Sequence, residues 1–294
     1  MNPSVTPLRY PGGKATLINY IEKFLKINNI KVRSVMEPYA GSASMSIGLL
    51  KDNLVSEASI NDADQMVYSF WRMVLNDNEE FIEMVKSVEV NIDTWLKFRK
   101  YLVSDPLNRY NYKEVGFAFL FLNRTSFSGI IKAGPLGGKE QRSSYDIACR
   151  FNKDRIIKKI LFLGQLSNRI SVYNMGGIEF MKKRFKETPD VFIYVDPPYY
   201  EIGKQLYNIY FNQKQHEELA DYLKSIDEQP WLLSYNNNEF ILKLYNDKNT
   251  RPIYLDNHSG YYRKNIKEYL FSNRVIPAYK VEENTSQKKF ILEY

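Results

Sequence analysis

The chain has 294 residues, of which 44% are hydrophobic and 26% charged, the composition of a globular protein with room for one large core and an insertion. The lack of an apolar run of about 18 residues argues against a transmembrane helix, and a single cysteine excludes an intramolecular disulfide. Two histidines offer few ligands for a metal ion, and a single cysteine fits a reducing cytoplasm. We expect a cytoplasmic protein, a monomer or weak dimer, that holds no metal and binds no membrane.

The net charge of +7 is concentrated in the middle of the chain. Residues 109–159 contain eleven basic and four acidic residues, an excess that equals the net charge of the whole chain. A polyanion would therefore be attracted mainly to this segment. The alternative is a basic, solvated face that has no partner.

Helical and strand patterns alternate on both sides of this basic segment, which indicates an α/β protein. The spacing of apolar residues predicts, in chain order, a helix at 15–27, a strand at 33–36, a helix at 45–50, a strand at 58–61, a helix at 155–165, strands at 170–174 and 191–195, a helix at 216–226, and strands at 231–235 and 289–294. Residues 66–160 are instead rich in aromatic residues and include a glycine-rich, basic loop. We expect a catalytic core of residues 1–65 and 161–294, interrupted by a mostly helical insertion of residues 66–160.

The most informative stretch is VFIYVDPPYY, in which a buried strand delivers Asp196, Pro197, Pro198 and Tyr199 to the edge where open α/β sheets bind ligands. The two prolines remove two amide donors and leave carbonyl acceptors. Asp196 adds a side-chain acceptor, and Tyr199 adds an aromatic face. This set suits a planar base that carries an amino group. The alternative is a strand followed by a proline-rich turn.

The amino group of such a base is a poor nucleophile, because its lone pair is delocalised into the ring. Hydrogen bonds from its N–H groups to Asp196 and to the Pro197 carbonyl would draw the nitrogen towards tetrahedral geometry. They would also stabilise the positive charge that develops as the nitrogen attacks a sulfonium methyl group. In-line positioning would supply the rest of the acceleration. No strong general base is needed first, since the proton becomes acidic only after the attack.

Three further segments suit a ligand of nucleoside size. The turn in PLRYPGGK, residues 7–14, allows close backbone approach, and Lys14 could meet a carboxylate. Small residues follow the first strand in VMEPYAGSAS, residues 35–44, as they do in Rossmann-like sites, although an ordinary βα turn is the alternative. In INDAD, Asp62 at the end of the second strand suits ribose hydroxyls, and Asp64 suits a helix cap.

A fourth segment, LNRTSFSGIIKAGPLGGKEQ at residues 122–141, lies in the basic part of the chain. Asn123, Arg124, Lys132 and Lys139 could contact bases or phosphates, with arginine suited to guanine and asparagine to adenine. For any single one of these side chains, a solvated position is the alternative.

Together these segments resemble, in the same order, the DNA adenine methylase (Dam) family of amino-methyltransferases over nearly the whole chain. The resemblance implies a Rossmann-like, S-adenosylmethionine-dependent core with an inserted target-recognition domain. It implies an enzyme that flips an adenine out of double-stranded DNA and methylates its 6-amino group. It places Tyr10 and Lys14 near the adenosine and methionine parts of the cofactor, and it assigns to the methionine end Glu37, Tyr39, Ala40, Gly41 and Ser42. Positions that match without an assigned chemistry are Tyr145, Arg150, Asn152, Arg263, Glu268 and Asn273.

The chain departs from the family after the predicted strand at 170–174, one strand before the strand that ends at Asp196. Many members carry an acid there that binds the adenine amino group of the cofactor, whereas this chain has Gly176. We expect nearby Glu179 to face inward or to start the next helix. One lost hydrogen bond to a charged acceptor would weaken cofactor binding by about 1.5–3 kcal/mol. The loop sequence TSFS also differs, so no DNA recognition sequence is carried over.

Two other hypotheses are open on the sequence. The glycine at position 176 favours a DNA-binding protein of the same fold with little or no catalysis. A methyltransferase acting on RNA or another amine is the second. The basic insertion favours a large polyanion as the substrate.

Overall fold

The computed structural model describes residues 5–9, 14, 17–102, 111–188, 190–201, 203, 208–246, 248–257, 264–278, 280–281 and 290–291. Its helices are α1 (Ile18–Ile27), α2 (Ser44–Lys51), α3 (Gln65–Asn76), α4 (Asn78–Ser87), α5 (Ile92–Arg99), α6 (Tyr112–Thr125), α7 (Lys153–Gln165), α8 (Gly177–Phe185), α9 (Gln213–Lys224) and α10 (Glu239–Leu244). Its strands are β1 (Ser34–Glu37), β2 (Glu57–Asn61), β3 (Ile170–Tyr173), β4 (Val191–Val195), β5 (Trp231–Asn236), β6 (Asn249–Asn257), β7 (Lys264–Ser272), β8 (Lys280–Val281) and β9 (Phe290–Ile291).

Strands β1 to β7 form one mixed sheet in the order β3-β2-β1-β4-β5-β7-β6. Strands β1 to β5 pair in parallel, whereas β7 runs antiparallel to both β5 and β6. The chain builds outward from β1 in one direction and from β4 in the other. The carboxyl ends of these two strands therefore flank the crevice in which doubly wound sheets bind ligands. The predicted Rossmann-like α/β core is confirmed.

β4 is buried along its whole length and sends alternate side chains to the two faces of the sheet. Phe192 and Tyr194 pack in the core that contains α1, α2 and the helices α3 to α7. Val191, Ile193 and Val195 pack instead with α8, α9 and α10. A parallel strand buried on both faces has a continuous apolar sequence, which explains why this strand was predicted with its observed bounds.

The aromatic residues between 66 and 160 form packed helices, as predicted. Gly116 lets α6 approach α3 closely, since a Cβ atom at this position would lie 2.6 Å from the Ser69 carbonyl oxygen. Asp64 caps α3 by accepting a hydrogen bond from the Met66 amide at 2.9 Å, also as predicted. One hydrophobic core extends from β1 and β2 into these helices, and the division into a core and an insertion stays a prediction. No helix among the described residues is long and apolar enough to cross a membrane.

The C-terminal part differs from the sequence prediction. The pattern missed the hairpin of β6 and β7, in which charged residues interrupt the apolar ones. The strand predicted at 289–294 is described only at β9, which pairs with β8 in a separate two-stranded sheet. The missed strand β7 matters for the site, because it lies beside β5 and carries Glu268 opposite Asn236.

We predict that Phe192→Ala lowers the free energy of unfolding by about 3–5 kcal/mol, because the ring is fully buried in β4 and its removal leaves a cavity. Leu161→Ala, at a side chain that is 49% exposed in α7, is the matched control and should cost about 0.5 kcal/mol or less. Urea denaturation of both variants measures the difference. Equal losses would contradict the core described for β4.

Candidate active site

The carboxyl ends of β1, β2 and β4 bring three acidic side chains to one cavity. Glu37 ends β1, Asp62 follows β2 and Asp196 follows β4, and all three line the cavity. Of the residues predicted to bind the cofactor or to act in catalysis, those that line it are Lys14, Glu37, Tyr39, Ala40, Gly41, Ser42, Asp62, Asp196 and Pro198. Tyr10 lies outside the described residues.

The turn between β1 and α2 is held against the end of β2. The Gly41 amide donates to Asp62 Oδ2 at 2.9 Å, and the Ala40 amide donates to the Asn61 carbonyl at 2.8 Å. Gly41 and Ala43 adopt left-handed backbone conformations, with φ of 47° and 45°, which favour small residues. The small residues seen in the sequence therefore fit both the sharp turn and the close approach of a ligand.

Asp62 is a half-buried acid that is already hydrogen-bonded to two backbone amides. Its Oδ1 accepts from the Asp64 amide at 2.9 Å, and its Oδ2 accepts from Gly41. Burial and the charge of Asp64 raise the pKa of Asp62 to about 7, despite these hydrogen bonds. The carboxylate thus joins two loops of the site, and it reaches the cavity from the side of β2.

Glu37 is the most deeply buried acid of the cavity, with 4% of its surface exposed. Its Oε2 accepts hydrogen bonds from the Ser46 amide at 3.0 Å and from the Ser46 hydroxyl at 2.6 Å. Burial raises its pKa to about 8, and the charges of Asp196 and Asp62 add to this effect. Glu37 is therefore mainly protonated at neutral pH in this structure, and a cation placed beside it would favour its ionised form.

Asp196 lies at the end of β4 between a hydroxyl and an ammonium group. The Ser234 hydroxyl donates to Asp196 Oδ1 at 2.9 Å, and Lys14 Nζ lies 3.6 Å from the same oxygen. Burial raises the pKa of Asp196 to about 6, against the charge of Lys14, and Glu268 raises it further. Within the described residues, neither Oδ2 nor the Pro197 carbonyl has a hydrogen-bond partner, and Asp196 lines the cavity.

Tyr199 and Lys14 meet a residue to which the sequence assigned no chemistry. The Tyr199 hydroxyl donates to Glu268 Oε1 at 2.7 Å, and Lys14 Nζ donates to Glu268 Oε2 and to the Tyr199 hydroxyl, each at 2.6 Å. The charge of Lys14 is thus balanced by protein carboxylates, whereas the sequence suggested the carboxylate of a ligand. The signal for Glu268 was a lone acid in an otherwise apolar part of a strand, EYLF, which is unusual for a buried position.

Gly176, where many family members carry an acid, has room for a side chain, and the carboxylate of Glu179 lies close to it. A Cβ atom built on Gly176 would lie 3.9 Å from both Cβ and Oε2 of Glu179. Gly177 has no such room, since its Cβ atom would lie 2.4 Å from the Tyr39 ring. Glu179 belongs to the first turn of α8, as one alternative predicted, but the expectation that it faces inward is wrong, because the side chain is exposed and lines the cavity.

Asn123 corrects a prediction for the DNA-binding loop. We expected its amide to contact bases, but the side chain is 1% exposed. It accepts a hydrogen bond from the Arg9 amide and donates to the carbonyls of Arg9 and Gly129, at 2.7, 2.8 and 2.9 Å. Because the amide is fully engaged with backbone, Asn123 holds the N-terminal segment against α6.

Arg124 lies in a cluster of like charges with Arg9, Arg150 and Lys159. It donates to the carbonyls of Pro7 and Arg150. Burial, followed by the charges of Arg9 and Arg150, lowers the pKa of Arg124 to about 10. Arg9 Nη1 and Arg124 Nε are buried with no hydrogen-bond partner among the described residues. Such donors beside repelling cations fit an anion.

The two lysines of the same loop are exposed. Lys132 Nζ lies 3.5 Å from the Asn208 carbonyl, and Lys139 lies in the glycine-rich turn that follows. Among the residues that the structure describes, no group of three His, Cys, Asp or Glu side chains could hold a metal ion.

Comparison with known proteins matches residues 10–259 to the model of the D12 class N6 adenine-specific DNA methyltransferases. The Type II methyltransferase M.MjaIII of Methanocaldococcus jannaschii is 26% identical over 277 residues, 84% of this chain and 89% of that protein. The Type II methyltransferase M.CviBI of Paramecium bursaria Chlorella virus NC1A is 20% identical over 247 residues, 81% of this chain and 85% of that protein. Among solved structures, the rRNA methyltransferase aviRa of Streptomyces viridochromogenes aligns with a TM-score of 0.39 at 10% identity over 90% of this chain and 86% of that one, which is too distant to guide interpretation.

Proposed function

Since the chain belongs to the D12 class N6 adenine-specific DNA methyltransferase family, we propose that its reaction takes place in the cavity at the ends of β1, β2 and β4. The enzyme transfers the methyl group of S-adenosylmethionine to the 6-amino group of adenine in DNA. The observation that carries the proposed site is the pair of acceptors without a hydrogen-bond partner among the described residues, Asp196 Oδ2 and the Pro197 carbonyl, at the end of β4 where Asp196 lines the cavity with Glu37 and Asp62.

In the proposed mechanism the two acceptors each take one N–H bond of the adenine amino group. They orient the nitrogen lone pair and stabilise the positive charge that develops on the nitrogen. When bound, the cofactor would supply an electrophilic methyl group on a sulfonium, whose transfer would form an N–C bond while the C–S bond breaks and the sulfur keeps the electron pair. One proton then leaves the nitrogen, and Asp196 is the acceptor within reach. Pro198 lines the cavity beside them, and the ring of Tyr199 would stack on the base.

The acids of the cavity match the polar groups of the cofactor. The ammonium of its methionine part would lie against Glu37, and its ribose hydroxyls would donate to Asp62, with the turn at Tyr39, Ala40, Gly41 and Ser42 close to its backbone. Glu179 offers the carboxylate that Gly176 lacks, on the same side of the cavity. The alternative of a DNA-binding protein without catalysis rested on the missing acid at Gly176, and Glu179 would replace that acid.

DNA would approach the cavity over residues 66–160, which include the basic segment 109–159 and which we infer to be the target-recognition domain. The positive charges of Arg9, Arg124 and Arg150 would attract the phosphates, and Lys132 and Lys139 would follow the backbone from the exposed loop. The adenine would have to leave the helix stack to reach Asp196, since the carboxylate is largely buried. A cytoplasmic location and a monomer or weak dimer stay predictions.

We predict that Asp196→Ala lowers kcat for methyl transfer to duplex DNA by about 100- to 1,000-fold, because one of two acceptors for the amino group is lost. Labelled S-adenosylmethionine measures the rate, and calorimetry should show that the variant still binds the cofactor. Glu57→Ala, at an exposed acid at the amino end of β2, is the control and should keep wild-type activity. A fully active Asp196→Ala variant would exclude the proposed site.

We predict that binding of S-adenosylmethionine releases about one proton at neutral pH and strengthens as the pH rises towards 8. Glu37, with a pKa of about 8, and Asp62, with a pKa of about 7, are partly protonated without a ligand. A bound cation and hydroxyl donors favour the ionised carboxylates, so binding lowers both pKa values and expels protons.

Titration calorimetry in two buffers with different ionisation enthalpies measures this release. Glu37→Gln should bind the cofactor more weakly and release fewer protons than the wild type. Equal heats in both buffers for the wild type would show that the acids do not change charge on binding.

A further inference from the structure

Glu268 is a buried carboxylate in a part of the molecule where an apolar residue would pack more easily. It is 2% exposed, and its neighbours Leu270 and Phe271 on β7 belong to the hydrophobic cores. A charge in such a place is costly unless it is paired and hydrogen-bonded. The sheet supplies the position, because β7 inserts beside β5 and carries the carboxylate to the cavity end of the sheet.

Both oxygens of Glu268 are used. Oε1 accepts from the Tyr199 hydroxyl at 2.7 Å, and Oε2 accepts from Lys14 Nζ at 2.6 Å. Lys14 also donates to the Tyr199 hydroxyl at 2.6 Å, so that the three side chains form a closed ring of hydrogen bonds. The ring joins β7 to the N-terminal segment and to the Asp-Pro-Pro-Tyr segment, since Glu268 lies 254 residues from Lys14 and 69 residues from Tyr199 along the chain.

Through Lys14, the ring of hydrogen bonds reaches the carboxylate of Asp196, which is proposed to bind the amino group of the base. Lys14 Nζ lies 3.6 Å from Asp196 Oδ1, the oxygen that also accepts from Ser234, so Lys14 fixes the carboxylate on the side away from its available oxygen. We propose that Glu268 is a positioning residue, which through Lys14 and Tyr199 fixes the Asp-Pro-Pro-Tyr segment and sets the charge on Asp196. This inference rests on the role proposed above for Asp196.

The charges around Asp196 make the proposal testable by pH. Lys14 in the N-terminal segment and Glu268 on β7 are the charged groups that act on Asp196. The charge of Asp196 in turn raises the pKa values of Glu37 on β1, Tyr194 on β4 and Tyr235 on β5. Burial raises the pKa of Asp196 to about 6, Lys14 lowers it and Glu268 raises it. The ionised carboxylate is the form that accepts an N–H bond, so activity is lost as the pH falls through about 6.

The experiment compares the pH profile of kcat in the full-length enzyme and in Glu268→Gln, with duplex DNA and labelled S-adenosylmethionine. Removing the negative charge of Glu268 lowers the pKa of Asp196, so the acid limb should move to lower pH. At its optimum, kcat should fall by up to about 100-fold through loss of positioning. The Kd for the cofactor should stay within about twofold, because Glu268 does not line the cavity.

Ser234→Ala is the matched variant with the opposite sign. It removes a hydrogen bond that stabilises the ionised carboxylate, so its acid limb should move to higher pH. If Glu268 and Ser234 have only structural roles, both substitutions lower the amount of active enzyme, and the acid limbs of the two pH profiles stay at the same pH. An unchanged limb and a wild-type kcat in Glu268→Gln would overturn the proposal.

By itself Tyr199→Phe should lower kcat with an unchanged Kd for the cofactor, which keeps the inference testable if Glu268→Gln folds poorly. The variant keeps the ring and removes the hydroxyl that connects the segment to Glu268. If Glu268 acts through Tyr199, the losses in kcat from the two substitutions should be clearly less than additive in the double variant. Additive losses would show independent roles and overturn the proposal. Activity in Asp196→Ala would instead overturn the proposed site itself, so the two failures are distinguishable.

Discussion

The ammonium of Lys14, buried between the carboxylates of Glu268 and Asp196, connects three distant parts of the chain at the end of the sheet. Without it, two acids would lie close together in a buried site with no positive charge between them. With it, Asp196 can stay ionised near neutral pH although burial raises its pKa to about 6. The position of the reacting carboxylate therefore depends on residues far from it in sequence.

The three acids that line the cavity at the strand ends differ in pKa. Glu37 and Asp62 have raised pKa values and lie where a cationic cofactor would favour their ionised forms. Asp196 has the lowest of the three raised values and lies nearest to Lys14. The same burial that makes these charges costly strengthens their action on a ligand, because the local dielectric is low. A sulfonium donor and an amino group that becomes positive both benefit from such a site.

Much of this arrangement could be predicted from the sequence, because it follows from local patterns. The apolar run VFIYV identified β4, and Asp62 was expected at the end of β2, whereas Glu37 was assigned by the family resemblance. The pairing of Glu268 with Lys14 could not be predicted, since it depends on the antiparallel insertion of β7 beside β5. Local reasoning likewise missed the burial of Asn123, which depends on the N-terminal segment packing against α6.

A structure of the enzyme with duplex DNA and a non-reactive analogue of S-adenosylmethionine tests the central claim most directly. The account predicts an adenine outside the helix stack, with its 6-amino group within hydrogen-bond distance of Asp196 Oδ2 and of the Pro197 carbonyl, and with Lys14 still bound to Glu268. An adenine amino group held by other acceptors, or a Lys14 that has left Glu268 to bind the ligand, would contradict it.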